Sequence, residues 1–372
     1  MNLYNLPAIT DQMIKDLIEE HKLTKLPRYQ KLMRYYKAKH DAILERTVDD
    51  PAQPNNKLVN DYPGYIVDTI QGYFIGIPAQ YTTQTNERFL KDLQNVFDSN
   101  NETDHNAEIA KYMGIYGEAF ELVYLNEKSE LRFVRLKNEE TMLVFEPSLQ
   151  RSIQMALRYY TLFDTATKKD VTKVELYHAD RVDYYTQENE GFRLDASIPH
   201  YFGKVPIVYY NNNDECTGDF EKVITLIDDY DKRLSDNSNE LEYLRNSYLK
   251  IKNISGTTSE DIWETKKSGA FFVDDYGDVG FVEKNINDAY TEHHMERLDA
   301  NIHKFSKVPD LSDESFAGNL SGVAIKYKLW PIEQIAACKE RKFKTGLKRR
   351  LRLIAEIFKI QDSRQKLQLE GY

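Results

Sequence analysis

Three histidines are the first candidates for chemistry. His293 and His294 are adjacent and His303 follows nine residues later, all in a stretch that reads as one helix. Neighbours on a helix point about 100° apart, so the pair is badly set to share an ion. All three read as surface or inter-subunit residues. Asp228, Asp229 and Asp231 offer carboxylates for a cation, but they also suit a solvated helix face. Asp274, Asp275 and Asp278 flank Tyr276 and Gly277, which is hairpin-turn chemistry without calcium-loop spacing. Cys216 and Cys338 have no CxxC or histidine neighbour and read as structural. The sequence holds no Gly-Lys-Ser/Thr phosphate loop after a strand, no GxSxG elbow, no HExxH pair and no kinase set. The expectation is a protein without a catalytic centre, a cofactor or a metal.

Charge is the more informative signal. Residues 321–360 hold eleven Lys or Arg against three Asp or Glu, a net of about +8, within a chain whose total is −10. The rest is therefore strongly acidic. The cluster KERKFKTGLKRRLR also carries an apolar stripe, so one side of it must be buried. The other side can be a solvated or inter-subunit face, or a contact for nucleic-acid phosphates. No module that reads DNA bases is present.

The elements that would carry these residues fall into a regular order. With 372 residues, 41 % of them apolar, and 26 Tyr and 17 Phe, a sizeable core is available. Two cysteines exclude a disulfide framework and suit a reducing compartment. The start MNLYNLPAITDQMIKDLIEEHK lacks the basic residues and apolar run of an export signal. The most apolar stretch, residues 65–81, contains Asp68, Gln71 and Gln80, so no membrane span is expected. Residues 8–46 read as two helices, with Pro27 opening a second that runs to about Glu45. DDPAQPNNK is a loop. A helix with a wide apolar face follows from about Asp61, tolerating Pro63 and ending at Gly76 and Pro78. Residues 86–117 suggest two more, with Asn101 and Asp104 capping the second.

From Gly117 to Asp214 short aromatic and β-branched runs separated by turns predict an antiparallel meander. A helix of about 30 residues is then predicted from Asp219 to Tyr248. Next come a small α/β insert with a turn at YGDV, a returning helix at 286–306, a loop, and a last helix from about Gly322 to Ile360 that Pro331 should kink. Two helices carrying a small tip, followed by a loop and a long basic helix, suit an elongated subunit packed against copies of itself better than a compact enzyme.

Four segments carry a family resemblance. PNNKLVNDYPGYIVDTIQGYFIGIPAQY (54–81) resembles the hallmark segment of bacteriophage portal proteins of the SPP1 type. GDFEKVITLIDDYDKRLSDNSNELEYL (218–244) resembles the start of their first stem helix. DESFAGNLSGVAIKYKLWPIEQ (313–334) and KTGLKRRLRLI (344–354) resemble the loop and long helix after the second stem helix. The resemblance implies an α+β subunit of a ring, twelve in the family, at one capsid vertex of the virion. Double-stranded DNA would pass through that ring during packaging and ejection without sequence-specific recognition. Implied partners are other copies of the chain, terminase, head-completion or adaptor proteins, and capsid and scaffolding proteins, with assembly in the bacterial host cytoplasm. A minor capsid or connector/adaptor protein is the alternative, and a nucleic-acid-processing enzyme a remote one.

Carried over segment by segment, residues 1–216 are the wing and 321–360 its long helix. Residues 217–248 and 286–306 are the stem, 249–285 the clip and 307–320 the tunnel loop. Residues 361–372 are the C-terminal end, and the crown that family members carry beyond it is expected to be missing. Pro63 and Pro331 stand where helix-compatible residues are expected. The resemblance puts Ser312, Asp313, Glu314, Ser315, Asn319 and Ser321 against DNA or its hydration layer, with Lys307 as a weak phosphate contact at the loop edge. Trp263, Phe271, Phe272 and Phe281 are too many large apolar groups for so small a clip to bury alone, so neighbouring clips should share a core. Arg349, Arg350 and Arg352 are expected to meet an acidic face of the next subunit.

Overall fold

In a computed structural model the described residues are 2–3, 9–51, 53–165, 168–188, 191–245, 249–252, 258, 260, 263, 278–281, 288–312 and 321–370. The fold is α+β, and the chain separates into two units. One comprises residues 1–39, 61–224 and 303–372, the other residues 40–60 and 225–302.

In the first unit, α1 (Asp11–Thr24) starts where the Thr10 hydroxyl accepts from the Met13 amide, and it buries Ile14, Leu17 and Ile18. Helix α2 (Leu26–Tyr36) carries Pro27 in its first turn, where the missing N–H costs nothing. It stops nine residues earlier than the sequence suggests, because Ala38 turns into left-handed backbone at φ 51°. After the short α3 (Asp41–Leu44) of the second unit, α4 (Tyr62–Ile75) is capped by Asp61, whose carboxylate accepts from the Gly64 amide at 3.0 Å. Pro63 lies in its first turn, so this proline is compatible with the helix. Helices α5 (Glu87–Ser99) and α6 (Glu102–Tyr116) follow. Asn101 precedes α6 but makes no side-chain cap, because its own backbone is left-handed at φ 49°. Gly117 ends α6 at φ 83°, packed so closely on residue 216 that a Cβ would meet the Cys216 carbonyl at 2.1 Å.

The β-region is two sheets rather than one meander. β2 (Glu118–Leu125) and β3 (Leu131–Leu136) form a hairpin, but β9 (Ile207–Asn211) returns to the other edge of β2, giving the order β3-β2-β9. The meander proper is β4 (Thr141–Phe145), β5 (Ile153–Asp164), β6 (Lys169–Tyr177), β7 (Arg181–Glu188) and β8 (Gly191–Pro199), extended by β1 (Asn2–Leu3) parallel to β4. Helix α1 packs on this larger sheet, where Ile14, Leu17 and Ile18 meet Val144, Leu157 and Leu176.

The second unit holds α3, most of α7 (Ile224–Arg245) and most of α8 (Asp288–Ser306). Helix α7 is shorter than predicted because residues 221–223 form a 3₁₀ turn and residues 246–248 are outside the described set. An extended segment runs along it. The amides of Asn56, Leu58 and Asn60 donate to Asn239, Ser235 and Asp231 at 2.6, 2.9 and 2.9 Å. Alternate residues of a strand thus read every fourth residue of a helix. Asp231, expected on a solvated face, is instead fully buried between Asn60 and His40. In the insert, β10 (Leu249–Lys252) pairs antiparallel with β11 (Asp278–Phe281). Asp278 and Val279 are therefore strand, not turn, and the AFFVDD run lies outside the described residues.

The last element of the first unit, α9 (Gly322–Glu370), spans 49 residues, and helical backbone continues on both sides of Pro331. Its inner face buries Phe343, Leu347, Leu353, Ile354 and Ile357 against Phe97, Met113, Val123 and Tyr210. Gly346 allows that approach, since a Cβ there would lie 2.2 Å from the Tyr210 ring.

Candidate functional site

The basic half of α9 is the first test of the charge pattern. Arg350, expected to meet a neighbouring subunit, is 0 % exposed within its own chain. Its Nε donates to both Glu121 oxygens at 2.9 and 3.0 Å, and Nη1 to Asn106 Oδ1 at 2.8 Å and Glu102 Oε1 at 3.3 Å. Nη2 also donates to Glu121. The guanidinium carbon lies 4.6 Å from the Phe133 ring centre. Tyr210 and His105 approach the same Glu121 oxygen at 3.1 Å each, and the Tyr81 hydroxyl donates to Glu102 at 2.6 Å. Burial alone would raise the Glu121 carboxyl. The Arg350 charge and the bonds from His105 and Arg350 outweigh it and hold the group at about 2. The same carboxylate keeps Arg350 charged despite its burial.

Arg349 is also committed within the chain, donating to the carbonyls of Ile207 at 2.7 Å and Val205 at 3.0 Å, while Arg352 is exposed. Lys339 is buried against Asp219, whose other oxygen accepts from Asn212 at 2.8 Å. The inter-subunit expectation is therefore corrected for Arg350 and Arg349. Their partners on β2, α6 and around β9 satisfy them, and a buried charge cannot leave such partners without a large penalty. Sequence reasoning missed Glu121 and Glu102. A lone glutamate inside the apolar run AFELVYLN was the available signal.

The first turns of α9 are the opposite case. Val323, Tyr327 and Trp330 are 63 %, 76 % and 59 % exposed. At 100° per residue they share an arc of about 60°, with the buried Ile332 on the far side of the helix. The helix thus packs one face and leaves an apolar stripe on the other.

Before α9, the end of α8 and residues 307–312 are held by specific contacts. Lys307 is exposed and left-handed at φ 60°, and Val308 behind it is buried. His303 Nδ1 donates to the Val308 carbonyl at 3.0 Å, and its ring meets Tyr65 edge-on at 5.7 Å. The Tyr65 hydroxyl of α4 donates to the Pro309 carbonyl at 2.8 Å and accepts from the Leu311 amide at 3.0 Å. Ser312 is exposed and folds onto Asp310 at 2.8 and 2.9 Å. Ser321 caps α9 by accepting from the Ala324 amide at 3.3 Å. Asp313, Glu314, Ser315 and Asn319 lie outside the described residues.

The three histidines go separate ways: His293 to Glu296 at 3.2 Å, His294 to Asp229 at 3.2 Å, and His303 as above. Trp263 is 76 % exposed. Phe281 pairs with Leu249 in the β10–β11 ladder through its backbone, and Phe271 and Phe272 are outside the described residues. No helix among the described residues is long and apolar enough to cross a membrane.

Comparison with known proteins decides the family. Residues 15–368 match the model of a family described as phage portal protein, SPP1 Gp6-like. The chain belongs to that portal family. It is similar to the portal protein of Bacillus phage SPP1, with 26 % identity over 361 residues covering 90 % of this chain and 70 % of the relative. It is also similar to the portal protein of Clostridium phage phiCD119, with 22 % identity over 356 residues covering 88 % and 78 %. This is a phage portal protein, with a part in packaging viral DNA into the head. Portal identity carries self-assembly and interaction with DNA, terminase and capsid in general terms, and portals are capsid components of the virion, structural rather than enzymatic as a family.

Proposed function

We propose that this portal protein forms a closed ring, of twelve subunits as in its family, at one capsid vertex, with residues 307–320 facing DNA in the central channel. The observation that supports subunit packing most directly is the stripe of Val323, Tyr327 and Trp330, exposed on the side of α9 away from its own core. Three large apolar groups in one row are costly to leave in water and suit a neighbouring copy. Residues 1–216 with 321–360 act as the wing, 217–248 and 286–306 as the stem, and 249–285 as the clip. The separation of residues 225–302, together with 40–60, from the rest of the chain, with the small β10–β11 ladder inside that unit, supports setting stem and clip apart from the wing.

Function here is mechanical and electrostatic. DNA must slide, so the wall must not hold phosphates tightly. Outside residues 321–360 the chain is acidic and repels phosphate. Lys307, exposed at the root of the loop, gives a weak and salt-sensitive phosphate contact. The clip, with Trp263 on its surface, is the docking end for terminase and later for adaptor proteins, and neighbouring clips share the apolar groups Phe271, Phe272 and Phe281. The outer wing meets capsid and scaffolding proteins. Assembly takes place in the host cytoplasm before the head fills.

Negative-stain microscopy tests the ring directly. Particles with a central hole are expected, and monomers or small oligomers overturn the proposal. Deleting residues 312–320 should leave rings intact and stop packaging in an in-vitro assay with terminase and empty heads. Normal packaging by the deletion variant removes these residues from the channel.

A further inference from the structure

We propose that Tyr65 is a positioning residue for the channel loop, setting where that loop leaves the wing. The proposal rests on the reading of residues 307–320 as channel-facing. Its basis is a connection across 244 residues of sequence: the Tyr65 hydroxyl donates to the Pro309 carbonyl at 2.8 Å while accepting from the Leu311 amide at 3.0 Å.

One hydroxyl thus uses both of its hydrogen-bonding roles on alternate residues of an extended segment. A neighbouring strand would hold this segment through the same pair of groups. Tyr65 thus takes the Pro309 carbonyl and the Leu311 amide together.

The segment is also held at its start. Helix α8 ends at Ser306, and the left-handed Lys307 turns the chain so that Val308 enters the interior at 1 % exposure. A carbonyl can only accept, so His303 must carry its proton on Nδ1 to bond Val308, and its ring edge packs on Tyr65 and Tyr62 at 5.7 and 6.1 Å. Tyr65 therefore touches the root twice, through its hydroxyl to residues 309 and 311 and through its ring to His303. Its own place is fixed by α4, whose Ile66, Val67 and Ile70 are fully buried. A rigid helix, rather than another loop, sets the starting point of the channel-facing segment.

Tyr65→Phe in the full-length ring isolates the hydroxyl, because the phenyl ring keeps the His303 contact and the helix. Hydrogen exchange in a peptide covering residues 307–312 should speed up on the order of tenfold or more, while peptides from α4 stay unchanged. Rings should form normally and packaging should slow several-fold. Unchanged exchange over 307–312 overturns the positioning role. Faster exchange with unchanged packaging overturns it as well, provided the 312–320 deletion still blocks packaging. If the deletion variant itself packages normally, the channel reading is what fails, and the exchange result still shows whether Tyr65 holds the segment.

Discussion

The two halves of α9 place charge and apolar groups in opposite ways. From Lys339 to Ile357 two charges join the apolar groups inside, with Arg350 and Lys339 buried among carboxylates of their own chain. From Val323 to Trp330 apolar groups are outside, with Ile332 alone buried on the opposite face of the same turns. The first half is complete within one subunit, because every charge that faces inward has its partner there. The second leaves its apolar row exposed. Basic composition thus belongs to the fold, and the apolar stripe is what the proposed ring would use, which reverses what the residue types suggest on their own.

The sharpest way to break this contrast is Arg350→Ala. Removing one partner leaves Glu121 and Glu102 buried without their cation, and the expected loss is about 3–5 kcal/mol of unfolding free energy, read by urea denaturation of disassembled subunits. A loss below about 1 kcal/mol would mean that the carboxylates reach water, and the inner half would then differ little from the outer.

Acid sharpens the same point. The Glu121 carboxyl is held at about 2, below its ordinary 4.5, by Arg350 and His105 against the opposing effect of burial. A depressed carboxylate contributes stability that is whole above its unfolded value and fades as pH falls from about 4.5 toward 2. The contribution is about 3 kcal/mol, and Glu121→Gln should flatten stability against pH in that window. An unchanged slope would assign the acid sensitivity to other groups.

The smallest effect on folding is expected at the other end of the helix. Tyr327→Ser with Trp330→Ser should shift unfolding free energy by no more than about 0.5 kcal/mol, since both side chains are mostly exposed in their own chain. Ring formation, followed by native mass spectrometry, should nevertheless weaken strongly. A double variant that assembles normally but unfolds as readily as Arg350→Ala would invert the assignment of the two halves.

The local features were legible in the sequence. Pro27 and Pro63 open helices, and Gly76 directly follows α4, because caps and turn residues act over a few positions. The strands of the larger sheet followed from alternating aromatic and β-branched residues joined by short turns. What was not legible is non-local. Ile207–Asn211 joins β2 from about 90 residues away, and nothing in IVYYN names its partner. Arg350 is one of several arginines in KRRLR, and what distinguishes it is far off in sequence, with Glu121 lying 229 residues earlier. Asp231 sits in an acidic run that reads as solvated, yet a buried histidine and an extended segment converge on it. The channel loop is an expectation carried by resemblance alone, and Tyr65 does not figure in it, because a tyrosine on an apolar helix face looks like core.

Pro331 adds a directional element to the stripe. A proline has no N–H to return to the carbonyl four residues before it, and here that carbonyl belongs to Tyr327, itself a member of the exposed row. An apolar ridge alone is slippery, since a partner can slide along it by a turn at little cost. A carbonyl lacking its helical donor beside that ridge is a notch. In the proposed ring, a copy that lays a donor into it would be fixed at one height along α9, and that height would repeat from subunit to subunit.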